Sequence, residues 1–159
     1  MNKSNPILDL PSVAKAGMRE LQPEDSALLL MHFAFRGLVA KADVFLAGHE
    51  LTRVHHRMLY AIARSERLSI GGLIELLGVS KQALHRPLKH LQDAGYVVAQ
   101  RDAVQHRVKI LSLTAKGKEI ERLASKHEAA AMKSALAGVS ATEQKAWRKV
   151  MIALARMVN

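Results

Sequence analysis

The tightest constraint on the fold lies in SIGGLIELLGVSKQALHRPLKHLQDAGYV, residues 69–97. Two helical patterns stand here with only Gly78, Val79 and Ser80 between them. Ser69 is placed to cap the first helix, Gly78 suits the left-handed backbone that ends it, and the Ser80 hydroxyl suits the first amides of the next. So short a connection fixes the angle between the helices, and the grammar is that of a helix-turn-helix.

The second helix carries its own question. Leu84, Leu88 and Leu91 follow the i, i+4, i+7 spacing of one face, yet Pro87 stands among them, where it lacks a donor and crowds the preceding turn. In a single helix from Ser80 to Ala94, Pro87 forfeits the bond to the Ala83 carbonyl, at a cost of about 3 kcal/mol. As the first residue of a new helix its missing donor would cost little, but that leaves one turn before it and barely two after. The unbroken leucine phase favours one kinked helix. With the leucines inward, steps of about 100° put Gln82, Arg86, Lys89 and Asp93 on the opposite side, flanked by His85 and His90.

That outward side is basic, as is the chain: 24 Lys and Arg against 14 Asp and Glu, a formal net charge of +10 over 159 residues. A polyanionic partner follows, nucleic acid first and an anionic membrane surface second. The absence of cysteine excludes disulfides and thiolate metal sites and makes the cytoplasm the natural compartment. No membrane span is expected, since the longest apolar run, ALLLMHFAF, falls far short of the ~18 residues one requires. Pro6, Asp9 and Pro11 break up the N-terminus too early for a secretory leader.

Residues 1–21 read as a poorly ordered arm. Pro23, Glu24 and Asp25 open a long helix that Gly48 is placed to stop, and Thr52 caps a helix with Val54, Met58, Leu59 and Ile62 as its apolar set. After Gly95, the β-branched segments YVVAQ and RVKILSL flank RDAVQH and predict a hairpin with a basic tip. Thr114 starts another helix, ended by Gly138. Ser140 and Glu143 form a capping box for the last, where Trp147, Val150, Met151, Leu154 and Val158 share a face.

A helix-turn-helix followed by a two-stranded hairpin is a winged helix. The pieces LTRVHHRMLYAIA, LIELLGVSKQALHRPLKHLQDAGYV, QHR and SLTAKGKE occur here in an order and spacing that resembles the MarR family of bacterial transcriptional regulators, over roughly residues 24–158. The resemblance implies a mainly α fold, a winged helix-turn-helix with a two-stranded β wing plus N- and C-terminal dimerisation helices. It assigns residues 22–50 and 114–159 to dimerisation and residues 51–113 to DNA binding, within one structural domain. It further implies a homodimer on pseudo-palindromic double-stranded DNA, released by a small aromatic effector in a cleft where Met31, His32, Phe35, His55 and Met58 are the candidates. This chain departs from the family pattern at the wing, where Gln105, His106 and Arg107 stand for the usual Asp-Arg-Arg, and at Pro87, where an aliphatic residue is usual.

The candidate DNA contacts follow from chemistry and the resemblance together. Ser80 and Lys81, at a helix start, suit phosphates. Gln82 pairs with adenine edges, Arg86 with guanine edges and Lys89 with phosphates, all within reach of a helix in the major groove, with His85 beside them. Arg107 suits a narrow minor groove, and Arg101 and His106 suit phosphates. An enzyme, a cofactor and a metal site are not expected: His127-Glu128 begins like a zinc-protease motif but position 131 is Ala, and His55 and His56 leave a helix about 100° apart. The bland reading of the histidines is surface or half-buried polar groups. The reading from another class is a basic winged-helix module that docks a protein, with an architectural DNA binder between the two.

Overall fold

The computed structural model describes residues 23–103, 105 and 107–158, so the N-terminal arm, His106 and Val104 lie outside the described residues. The chain divides into two units, residues 1–40 and 41–159. Within the first unit the described chain is helical. It forms most of α1 (Pro23–Ala47), which has Glu24 and Asp25 in its first turn, where the helix dipole favours acids. The helix ends at Ala47, one residue before Gly48, but the left-handed residue of the exit turn is Glu50 at φ 58°. There the Leu51 amide returns to the Leu46 carbonyl at 3.0 Å.

The second unit holds the remaining elements: α2 (Arg53–Ala63), β1 (Leu68–Ser69), α3 (Ile70–Leu77), α4 (Lys81–Asp93), β2 (Val97–Arg101), β3 (Lys109–Leu113), α5 (Ala115–Leu136) and α6 (Ala141–Ala155). Side-chain caps explain where several begin. Ser69, Ser80, Thr114 and Ser140 each accept the amide three residues on, and the Glu143 carboxylate closes a capping box on the Ser140 amide at 2.9 Å. The turn between α3 and α4 uses Gly78 in the left-handed region, φ 61° and ψ 36°, as the sequence required.

The sheet is antiparallel with order β1-β3-β2. The predicted hairpin is β2 and β3, with Val97 opposite Leu113 and Arg101 opposite Lys109. The two-residue β1 adds a third strand by pairing Leu68 with Leu111, which ties the wing to the segment entering α3. The core gathers Leu46, Met58, Leu59, Ile62, Leu73, Leu84, Leu88, Leu91, Tyr96, Val97, Leu111 and Ile120. Of the apolar set expected on α2, Val54 is exposed, while His56 takes a buried position. At the other end of the second unit, α6 contributes no buried residue.

The α5 start is held against the wing more closely than any pattern suggested. Thr114 donates its hydroxyl to the Gly95 carbonyl at 2.7 Å and its amide to the Tyr96 carbonyl at 3.1 Å. This brings Gly117 so near that a Cβ built there would stand 2.0 Å from the Tyr96 oxygen.

Candidate nucleic-acid interface

The candidate interface starts from α4, one uninterrupted helix that contains Pro87. Its inward leucines are buried, and Lys81, Gln82, His85, Arg86 and Lys89 are all exposed. Both ends are pinned. The Ala83 amide donates to the Ser80 hydroxyl at 3.1 Å, leaving Lys81 on the first turn, where amide dipoles and charge both favour an anion. At the far end Gly95 takes φ 74°, and Lys116 from α5 donates to the Ala94 carbonyl at 2.9 Å while its ammonium lies over the Tyr96 ring. A rigid helix thus presents donors at fixed angular intervals.

Lys89 is not idle in this state. Its ammonium bridges both Asp93 carboxylate oxygens at 3.0 and 2.7 Å, one turn along the helix. Both side chains are 62% exposed, and an exposed i, i+4 pair is worth about 0.3–0.5 kcal/mol. A phosphate displaces so weak a partner readily.

His55 stands where α2 meets α4. At the third position of α2, its Nδ1 accepts the Thr52 amide at 3.0 Å, so this histidine completes the helix cap. Its ring packs on His90 of α4 at a 4.9 Å centroid distance. Burial first and the His90 ring second hold its pKa below the ordinary histidine value. Lowering the pH therefore protonates the unfolded chain before the folded one. Stability is full above about pH 6.5 and falls as the pH drops through that value toward the lower folded pKa. Protonation at Nδ1 also removes the cap acceptor. Melting curves from about pH 7.5 to about pH 5.5 are expected to show a smaller acid destabilisation for His55→Gln than for the wild type, and equal slopes would count against the assignment.

The wing supplies the second cluster. Arg101 ends β2, Lys109 begins β3 directly opposite, and both are exposed, as is Arg107 in the connecting segment. Like charges facing each other across a ladder are unfavourable unless an anion sits nearby. Next to Arg101 in the connecting segment, Asp102 is buried and ion-paired with Arg67 from the segment before β1. Lys109 and Arg67 escaped the sequence reading. Alternation in RVKILSL puts Lys109 on the face of the buried Leu111, so the strand pattern gave no outward signal for it, and Arg67 offered none either.

The effector candidates are divided between the two units. Met58 is 1% exposed, packed in the core of the second unit, and His55 is occupied by its cap and by His90. Met31, His32 and Phe35 are exposed residues of the first unit.

The second histidine of the pair, His56, is buried, contrary to the bland expectation for the histidines. Its Nδ1 lies 3.2 Å from Glu128 and its Nε2 3.4 Å from the Ser125 hydroxyl, which donates to Glu121 at 2.6 Å. Arg64 closes the chain on Glu121 at 2.6 Å. The zinc-protease-like His127-Glu128 pair is thereby split, with Glu128 on His56 and His127 against the Phe45 ring. Among the described residues no three His, Asp or Glu side chains converge as a metal-ligand group. No described helix is long and apolar enough to cross a membrane.

Comparison with known proteins meets this geometry. The MarR family model matches residues 49–108, which span α2 through β2 and the segment leading to β3. The HTH-type transcriptional regulator PetP of Rhodobacter capsulatus is 36% identical over 124 residues, 78% of this chain and 75% of that protein. The chain belongs to the MarR family of transcriptional regulators. Solved members share the fold at lower identity. A MarR protein from Peptoclostridium difficile superposes with a TM-score of 0.75 at 19% identity, covering 89% of this chain and 94% of the other. A MarR-family regulator from Silicibacter pomeroyi gives 0.72 at 23%, covering 89% and 97%. In this MarR-family chain the second helix of the helix-turn-helix is α4 and the wing is β2-β3.

Proposed function

We propose that this regulator acts in the cytoplasm, without catalytic activity, as a homodimer on pseudo-palindromic double-stranded DNA. Each copy lays α4 in a major groove and Arg107 in the adjoining minor groove. One observation carries the reading: α4 buries Leu84, Leu88 and Leu91 and turns Lys81, Gln82, His85, Arg86 and Lys89 outward from a helix pinned at both ends. Residues 51–113 then form the DNA-reading part, and residues 22–50 and 114–159 the part that joins two copies. The apolar residues exposed on α6 support a second copy as its cover.

Base readers and phosphate clamps fail differently, and this tests the proposal. Arg86→Ala is expected to cost about 1–3 kcal/mol on the cognate site and far less on random DNA, through loss of a bidentate guanine contact. Lys81→Ala is expected to weaken both about equally and to lower the salt slope by roughly one unit. Arg107→Ala is expected to act mainly on sites with a narrow, A·T-rich minor groove. Footprinting of the DNA upstream of the gene supplies the site, and fluorescence anisotropy at several salt concentrations supplies the affinities. Equal losses on cognate and random DNA for Arg86→Ala would overturn base reading by α4. Protection without a short symmetric site would favour an architectural binder.

The proposal extends to release by a small aromatic effector. Linkage then requires that effector and DNA weaken each other by the same factor, typically about 5 to 150-fold. Effector titrations with and without operator measure it, and binding without coupling would make the protein a constitutive DNA binder.

A further inference from the structure

The family's usual wing aspartate is Gln105 in this chain, so the basic tip lacks its expected anchor. A different acid stands three residues earlier. The Asp102 side chain is 4% exposed, and one of its oxygens accepts the Gln105 amide at 2.8 Å while the other is ion-paired with Arg67. The backbone closes around it, with the Asp102 amide on the Val108 carbonyl at 2.9 Å and the Val108 amide on the Gln105 carbonyl at 2.8 Å. Arg67 in turn is fixed by its neighbour Leu68, whose strand pairs with Leu111 of the wing.

We infer that Asp102 and Arg67 are positioning residues that hold the wing segment carrying Arg107 in the geometry needed to enter a minor groove. The inference rests on the DNA-binding reading proposed above. Its physical basis is the asymmetry of the contacts. A buried carboxylate bound to a guanidinium and a backbone amide makes charge-assisted bonds, which are about twice as strong as neutral ones. The tip it closes carries exposed Arg101, Arg107 and Lys109, with Arg101 directly opposite Lys109, a like-charge pair that gives the tip no cohesion of its own. Unclamped, the segment carrying Arg107 samples many orientations, and DNA must then order it at an entropic cost. Arg67 does not need to touch DNA for this role, because it acts through Asp102.

The test combines amide exchange on the DNA-free protein with DNA binding by the same variants. In Asp102→Ala and in Arg67→Leu, exchange at the Gln105 and Val108 amides is expected to rise by about tenfold or more, while the Leu84 and Leu91 amides stay protected as in the wild type. Arg67→Lys keeps the charge and is expected to restore most of that protection. On DNA, hydroxyl-radical protection is expected to weaken at the outer minor-groove positions of the site and to persist at its centre, with affinity lower by about tenfold. Unchanged exchange at Gln105 and Val108 would overturn the clamp. Acceleration spread evenly through the chain would overturn it in favour of a general stabilising role. Localised exchange with an unaltered footprint would overturn the positioning role while keeping the clamp. A wild-type chain that protects no DNA would overturn the DNA reading, and the exchange measurement would still report on the clamp itself.

Discussion

A chain ending at Val139 is expected to sediment as a monomer under conditions where the full chain is a dimer. The truncation removes α6, where Trp147, Val150, Met151, Ile152 and Leu154 are exposed on a single copy. Fully burying such a side chain is worth about 1.5–3 kcal/mol, and with these only 36–58% exposed the ten from two copies yield roughly 7–14 kcal/mol, comparable to an association cost of about 4–15 kcal/mol. Because α6 gives no residue to the core of the second unit, the shortened chain is expected to keep its winged helix. Its helical circular dichroism should fall only by the missing residues, and a cooperative melt should remain. Operator affinity is expected to collapse together with the dimer, since one half-site supplies only half of the contacts. Sedimentation equilibrium at micromolar concentration decides the matter. A monomeric full chain would sink the dimer, and a dimeric truncated chain would move the interface away from α6.

Gly117→Ala is expected to be the most damaging single methyl in the winged helix. The added carbon would stand 2.0 Å from the Tyr96 oxygen and 3.0 Å from its carbonyl carbon, and both belong to the backbone, so no rotamer change relieves the overlap. Helix propensity alone would favour Ala over Gly by about 1 kcal/mol. The clash wins, because relieving it means pulling α5 from Tyr96 and lengthening the Thr114 and Lys116 bonds that pin the end of α4. A loss of about 3 kcal/mol is expected, at the upper end of overpacking costs, or roughly 6–12 °C in melting temperature for a chain of this size. Gly138→Ala is the control: nothing lies within 4 Å of its added carbon, and it is expected to be neutral or slightly stabilising. Melting both at one protein concentration avoids confusion with dimer mass action. Equal melting temperatures for the two variants would mean that α5 yields more easily than the geometry implies.

Much of the α4 face was legible in the sequence because its determinants are local. Ser69, Ser80, Thr114 and Ser140 cap helices through atoms three residues away, and Leu84, Leu88 and Leu91 keep one phase over barely two turns. An interaction confined to one turn leaves its mark in adjacent letters. Even Pro87 was readable in this way, since the leucine phase continues across it and the helix is unbroken. The order of motifs likewise pointed to the winged helix and its family.

Other features had no local mark. The two residues of β1 carry no strand pattern and become a strand only because β3 offers an edge to Leu68 and Ser69. His56 and Val54 exchanged their expected burial because Glu128 and Ser125, some seventy positions on, give the imidazole partners that no spacing within α2 reveals. Met58 sits in the core of the second unit, and His55 caps its own helix while resting on His90. Arg67 meets Asp102 across thirty-five positions, and Gly117 meets Tyr96 by direct backbone approach. The sequence by itself determined the caps, the turn, the leucine seam and the basic side, all of which follow from neighbours within a turn or two. Only the tertiary structure decided which polar groups are buried, which acid anchors the wing and where a methyl group has no room, because those depend on elements that approach one another only when the chain has folded.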